Sequence, residues 1–160
     1  MEDMLRLSQG LPEIAFATGD VVVREGGAAG GIWVLVAGEL LVRKGAVAVN
    51  SITQPGALVG EVSVLLGTFH GATVEATRPS VLRHAADGRA LLTRDPAITL
   101  LVARGLAERL SFVTTYLADL KHQYGDAPGL SMVSEVMRQL AQLQGAAARA
   151  GSARDPEPEY

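Results

Sequence analysis

Residues 59–76 read Val-Gly-Glu-Val-Ser-Val-Leu-Leu-Gly-Thr-Phe-His-Gly-Ala-Thr-Val-Glu-Ala. A Gly-Glu pair opens a short apolar turn over residues 62–66, and Gly67 ends that turn. The sequence Ala-Thr-Val, which starts at residue 72, begins an alternating segment of the kind that forms strands. The stretch therefore predicts a short helical turn followed by a strand. The start of any such helix has free backbone N–H groups that favour an anion, so this feature alone does not specify a site.

The sequence on either side of this stretch indicates a mainly β fold up to about residue 88. From Ile14 to Ala86, short runs rich in strand-forming residues alternate with Gly-Asp, Gly-Gly, Pro-Gly and Arg-Pro turn signals, spaced roughly ten residues apart as in sandwiches and barrels. A short leading helix is expected over Leu5–Leu11. The candidate strands are residues 20–24, 32–37, 39–44, 47–52, 72–77 and 80–85.

From Gly88 onward the hydrophobic period changes from two to about three and a half. Apolar residues recur at alternating spacings of four and three, which defines an a/d heptad seam and favours pairing with a second helix. The seam residues are Leu106, Leu110, Val113, Leu117, Leu120 and Tyr124. We expect a short helix over residues 89–94 and a long helix over residues 96–124, with Pro96 in its first turn.

Beyond the long helix, the segment Gly-Asp-Ala-Pro-Gly at residues 125–129 breaks the pattern. A short amphipathic helix is predicted within residues 126–144, where apolar residues again recur at helical spacing. Residues 145–160 are rich in Ala, Gly, Pro and charge, and we expect them to form a disordered tail.

The composition of the chain limits its domain size and the classes of partner that we expect. The chain has 160 residues, is 48% hydrophobic, carries a formal net charge of −3 and contains no cysteine. One core with a tail is the expected size, and the charge argues against a nucleic-acid surface, which needs an excess of Lys and Arg. There is no basic leader before an apolar segment and no run of about eighteen apolar residues. We therefore predict a cytoplasmic protein that binds neither nucleic acid nor membrane.

The stretch at residues 59–76 resembles the ligand cassette of the cyclic-nucleotide-binding domain family. The likeness rests on Gly-Glu-x-Ser-x-Leu-Leu-Gly at residues 60–67 and on Ala-Thr-Val at 72–74, and it extends to the turns at 19–20, 26–31 and 37–39. It implies a catabolite-activator-like β-roll, an antiparallel jelly-roll barrel, followed by a long C-terminal dimerisation helix within residues 1–125. Transcription-regulating relatives continue into a winged helix-turn-helix, for which residues 126–160 are too few.

The same resemblance assigns roles within the cassette. Glu61 would accept a hydrogen bond from the ribose 2′-hydroxyl, although a solvated turn carboxylate is the alternative. The backbone of residues 62–64 would present N–H groups to the cyclic phosphate. Gly71 leaves room for close approach, and its lack of a hydroxyl leans toward adenine rather than guanine. The candidate ligand-binding residues of the cassette are Gly60, Glu61, Val62, Ser63, His70, Gly71 and Ala72.

His70 occupies the position where the family carries a phosphate-clamping arginine, and Phe69 precedes it where a proline is common. Arginine offers a permanently charged planar fork, whereas an imidazole changes charge between pH 5 and 8. Three interpretations stay open. His70 binds phosphate weakly and in a pH-dependent way, the pocket serves another ligand, or it binds no nucleotide. Arg78, Arg83 and Arg89 are the nearest alternative forks, and each has the pattern of an ordinary surface residue.

Three residues of the long helix complete the candidate site. Thr114 and Thr115 fall where relatives present polar groups to the base across the dimer, or they are simply exposed helix residues. Arg109 interrupts the seam one turn earlier. We expect it either to pair with Glu61 and link the pocket to the helix, or to be a solvated surface arginine.

No enzyme activity, metal site or cofactor is expected. The chain lacks a Gly-x-Ser-x-Gly elbow and a Walker A lysine motif, and His70, His84 and His122 do not have metal-ligand spacing. Our interpretation is a homodimeric sensor that binds cAMP or a related cyclic nucleotide and signals to a protein partner. The alternative is a dimerisation scaffold that retains the barrel but not a working pocket.

Overall fold

The structure is a computed structural model, and it describes residues 2–124 and 131–150. The strands in these residues are β1 (Glu13–Phe16), β2 (Val21–Val23), β3 (Ile32–Ala37), β4 (Leu40–Lys44), β5 (Val47–Ile52), β6 (Leu58–Val59), β7 (Thr73–Ala76) and β8 (Ser80–Ala85). The helices are α1 (Glu2–Leu7), α2 (Glu61–Leu66), α3 (Gly88–Arg94), α4 (Pro96–Tyr124) and α5 (Ser131–Ala150).

The strands form two four-stranded sheets in which every pairing is antiparallel. One sheet has the order β1-β8-β3-β6 and the other has the order β2-β7-β4-β5. Sequence-distant strands are therefore neighbours, as in a jelly-roll barrel. The predicted fold class, an antiparallel β-roll followed by a long helix, is confirmed.

The two sheets bury one face each against a shared core. Alternate residues of β3, β4, β7 and β8 point into it, because successive side chains of a strand lie on opposite faces. The buried members of this cluster are Val23, Leu35, Leu40, Val59, Val74, Ala76 and Leu82. Trp33 and Val42 are partly buried and pack against the same cluster, so they share the inward face.

The helices that follow the sheets start where the sequence predicts. The carboxylate of Asp87 accepts a hydrogen bond from the N–H of Ala90 at 2.9 Å and caps α3. Helix α4 begins at Pro96 and buries Ile98 and Val102 near its start. The hydroxyl of Thr99 donates to the carbonyl of Leu92, which ties α4 to α3. Residues 1–104 and 105–160 are two compact units, so α4 runs from the first into the second.

Several element bounds differ from the sequence-based expectation. Strands β1 and β6 were not among the candidates, because β1 is mostly exposed and β6 has two residues. Helix α1 spans Glu2–Leu7 rather than Leu5–Leu11. Helix α5 starts at Ser131 and continues to Ala150, beyond the expected end at residue 144. Residues 145–150, placed in the tail by the sequence, are helical and include four alanines, the best helix formers. Residues 151–160 lie outside the described part.

Candidate functional site

Gly60 shapes the start of the cassette helix α2. Its φ of 95° lies in the left-handed region that favours glycine. A methyl group at this position would lie 2.8 Å from the carbonyl oxygen of Gly31 and 3.5 Å from Cε1 of His70. Only glycine fits this gap, so Gly60 brings the loop before β3, the start of α2 and the imidazole of His70 together.

The other end of α2 is closed by Gly67. This residue also has a left-handed conformation, with φ 64°, and its N–H donates to the carbonyl of Ser63. The N–H of Thr68 donates to the same carbonyl at 3.1 Å. These caps hold α2 to two turns. By helix geometry, the N–H groups of its first turn have no acceptor within the helix.

Helix α2 buries its polar residues and exposes its apolar ones. Glu61 and Ser63 are 3% and 6% exposed, whereas Val62, Leu65 and Leu66 are 42%, 52% and 69% exposed. A surface helix ordinarily shows the reverse pattern. This burial contradicts the alternative that Glu61 is a solvated turn carboxylate, whereas its role at a ribose stays a prediction. Burying a carboxylate is costly unless it is hydrogen-bonded, so this inverted pattern marks the inner side of α2 as a polar site.

His70 lies beside this polar side, as the sequence predicts. Its N–H donates to the carbonyl of Gly27 at 2.9 Å, and its carbonyl accepts from the N–H of Gly26 at 2.8 Å. These two bonds fix the backbone at residue 70, the position of the family's phosphate-binding arginine, which we call the anchor position. The half-buried imidazole lies between Gly27 and Gly60, since its carbons are 3.8 Å and 3.5 Å from methyl groups built at those glycines. Phe69 points away, with 70% of its surface exposed.

Sequence reasoning missed Lys44 at the end of β4. Its Nζ donates to the carbonyl of Gly71 at 3.3 Å, directly after His70. The neighbouring turn is held by Glu25, whose carboxylate accepts from the N–H of Gly45 at 2.8 Å. The only sequence signal for Lys44 is its place on the same strand face as Leu40 and Val42, which becomes meaningful once β4 is known to pair with β7.

A second missed feature is an aromatic stack in the sheet next to the cassette. Trp33 and His84 are cross-strand partners, and their rings stack with centroids 3.9 Å apart. Phe16 meets Trp33 edge-on at 5.4 Å. Burial lowers the pKa of His84 below 6.5, which favours the neutral imidazole. Trp33 also pairs with Val59, the residue before Gly60, so the stack adjoins the start of the cassette.

The three arginines considered as alternatives to an arginine at residue 70 have different surroundings. Arg78 lies 3.2 Å from Glu39 in an exposed ion pair. Arg83 is not a surface residue, since its side chain is 15% exposed, pairs with Glu13 at 3.0 Å and donates to the carbonyl of Leu5. Arg89 lines a cavity of about 390 Å³ together with Ser63 and Phe69, and neither Glu61 nor His70 lines that cavity.

The candidate residues of the long helix belong to the second unit. Arg109, Thr114 and Thr115 are exposed there. The hydroxyl of Thr114 donates to the carbonyl of Leu110 at 2.8 Å within the same helix, and its lone pairs remain available as acceptors. A role for these three residues at a ligand stays a prediction. In contrast, the structure places Gly60 and the imidazole of His70 side by side, and Glu61, Val62 and Ser63 follow Gly60 in α2, with Val62 on its exposed side. That these residues, with Gly71 and Ala72, bind one ligand stays a prediction.

The described residues contain neither a candidate metal site nor a candidate membrane-spanning helix. Residues 2–124 and 131–150 contain no group of three or more His, Cys, Asp or Glu side chains arranged to hold a metal ion. Within the same ranges, no helix has the length and apolar character needed to cross a membrane.

Comparison with known proteins agrees with the fold and the cassette. Residues 13–88 match the family model described as the cyclic nucleotide-binding domain. The catabolite activator protein of Thermus thermophilus matches with a TM-score of 0.62 at 18% identity, over 90% of this chain and 85% of that chain. A structure from work on a cyclic-GMP-dependent signalling pathway that regulates bacterial phytopathogenesis matches with a TM-score of 0.59 at 20% identity. The match covers 69% of this chain and 94% of that chain.

A third structure, PKAR CBD2 bound to Sp-2Cl-cAMPS, matches with a TM-score of 0.57 at 16% identity, over 72% of this chain and 75% of that chain. At these identities the three structures show a shared fold. No curated protein sequence matches the chain.

Proposed function

Because residues 13–88 belong to the cyclic nucleotide-binding domain family, we propose that this chain is a regulatory module that binds cAMP or a related cyclic nucleotide. It acts without catalysis, as a homodimer, on a protein partner. The observation that carries the proposal is the inverted pattern of α2, which keeps Glu61 and Ser63 inside and leaves its leucines outside.

The proposed contacts are those that the resemblance of the cassette to the family implies. The carboxylate of Glu61 accepts from the ribose 2′-hydroxyl, since an ionised carboxylate is an acceptor with several lone pairs. The first turn of α2 presents backbone N–H groups to the cyclic phosphate. His70 adds a donor at the same phosphate and, when protonated, a positive charge. Gly71 supplies space for the nucleotide at the entry to β7.

Titration calorimetry of the purified chain with cAMP, cGMP and cyclic dinucleotides tests this proposal. We expect cAMP to bind and Glu61→Gln to weaken binding about ten-fold or more, because the amide loses the charge-assisted hydrogen bond to the ribose. Glu39→Gln is the matched control, since Glu39 pairs with Arg78 at the surface. Absence of binding by all of these ligands would refute the proposal, as would equal weakening by the two variants.

The dimer is proposed from the seam on α4. Leu110, Val113 and Tyr124 are 44%, 46% and 59% exposed in the single chain. Leu106 and Leu117 are half-buried and continue the same a/d row. A row of this spacing buries its apolar surface when a second copy of the helix packs against it. The second copy is therefore the expected occupant of the seam.

A second candidate function is a dimerisation scaffold without a working pocket. The observation in its favour is the imidazole of His70, which replaces the fork of an arginine and sits against Gly60. Under this function the chain dimerises through α4 but binds no cyclic nucleotide. The calorimetric titration separates the two functions, because both predict a dimer and only the sensor binds the ligand.

A further inference from the structure

Lys44 is the exposed last residue of β4, and it lies next to the segment that follows His70. Strand β4 alternates, and its residues Leu40 and Val42 pack into the core cluster. Lys44 follows Val42 by two residues, so its side chain starts from the same face of the strand. Arg43 lies on the opposite face and pairs with Glu75 at 3.4 Å.

Strand pairing brings Lys44 to the residues after His70. In the β4–β7 ladder, Val42 pairs with Val74 and Arg43 pairs with Thr73. The next step of the register places Lys44 opposite Ala72. The hydrogen bond from Nζ to the carbonyl of Gly71, at 3.3 Å, agrees with this position. The ammonium group thus lies one residue from the anchor position.

The ammonium group of Lys44 has more N–H donors than the carbonyl of Gly71 uses, so it can also bind an anion. It carries three N–H donors, of which the Gly71 carbonyl takes one. Glu25 is the acidic residue of the adjoining turn, and its carboxylate accepts from the N–H of Gly45. Lysine binds phosphate as a point charge, without the planar fork of arginine.

We infer that Lys44 supplies the permanent positive charge at the phosphate of the bound cyclic nucleotide, in place of the arginine that His70 replaces. This inference rests on the proposed function. Lys44 contacts a phosphate oxygen from the β4 side, while His70 contacts the phosphate from the side of the glycine loop at residues 26–27. The anion is held between two strands rather than by one side chain.

The test compares Lys44→Gln, Lys44→Arg and Arg43→Gln in calorimetric titrations with cAMP at pH 8. We expect Lys44→Gln to weaken binding about ten-fold, the lower end for a charged hydrogen bond, because Lys44 is exposed to solvent and salt. Lys44→Arg should retain most of the affinity. Arg43→Gln, on the opposite face of the same strand, should leave affinity unchanged.

Two further measurements distinguish phosphate contact from a structural role. Raising the salt concentration should weaken cAMP binding less in Lys44→Gln than in the wild type, since one ionic contact is gone. Adenosine, which lacks the phosphate, should compete equally well for both proteins. Unchanged cAMP affinity in Lys44→Gln, or an equal loss of adenosine affinity, would overturn the inference about Lys44. A wild-type chain that binds no cyclic nucleotide would refute the proposed function itself.

Discussion

Replacing His70 with arginine tests the anchor position directly. The backbone of His70 is fixed by bonds of 2.9 Å and 2.8 Å to Gly27 and Gly26, and a new side chain does not disturb them. The imidazole is half-buried and points between glycines, so the longer arginine can follow the same path toward the start of α2. The substitution adds a permanently charged fork where the wild type has a ring that is neutral for part of the pH range.

The magnitude follows from the contact that is gained. A hydrogen bond to a charged group contributes about 1.5–3 kcal/mol, and each 1.4 kcal/mol is ten-fold in affinity. We expect His70→Arg to bind cAMP about ten-fold or more tightly at pH 8.

Calorimetric titration with cAMP at pH 8 measures this gain in affinity. His122→Arg is the matched control, since it adds the same charge at an exposed position of α4. No gain in His70→Arg, or an equal gain in His122→Arg, would show that residue 70 is not at the phosphate.

Two more predictions concern the dimer and the aromatic stack. Replacing Leu110 and Leu117 together by glutamate should yield monomers in light scattering, because it places repelling charges in an apolar seam, and a monomeric wild type would contradict the seam argument. Burial lowers the pKa of His84, so the native state binds fewer protons than the unfolded state once the pH falls to about 6.5. Denaturant unfolding should therefore show stability decreasing as the pH falls through and below 6.5. This decrease should be smaller in His84→Gln but not in His122→Gln, and equal slopes in all three proteins would contradict it.

The local sequence was enough to predict the elements that are bounded by turn-forming residues. Strands β3, β5 and β8 have the predicted bounds, because each is a β-rich run between turn signals. The cassette helix α2 was placed correctly since Gly60 and Gly67 mark its two ends. Strand β1 was missed, because its four residues are mostly exposed and it is defined by pairing with β8, about seventy residues later.

The candidate site was predictable only where the cassette is continuous in sequence. Glu61 and His70 were recognised through the resemblance of residues 59–76 to the ligand cassette of the family. Lys44 and the stack of Trp33 on His84 were not, because each depends on which strands become neighbours. Trp33 meets His84 only through the β3–β8 pairing, and Lys44 meets Gly71 only beside the β4–β7 pairing. Charge and hydrophobicity along the chain carry no signal of those long-range contacts.

The proposed division of the phosphate contacts between two residues has a consequence for the behaviour of the site. An arginine at residue 70 would hold the phosphate through one planar group. With Lys44 on one strand and His70 on the next, each side chain contributes its own contact to the affinity of the proposed sensor. Removing Lys44 should leave the contact from His70, and removing the imidazole should leave the contact from Lys44. The two proposals thus make separable predictions for one pocket.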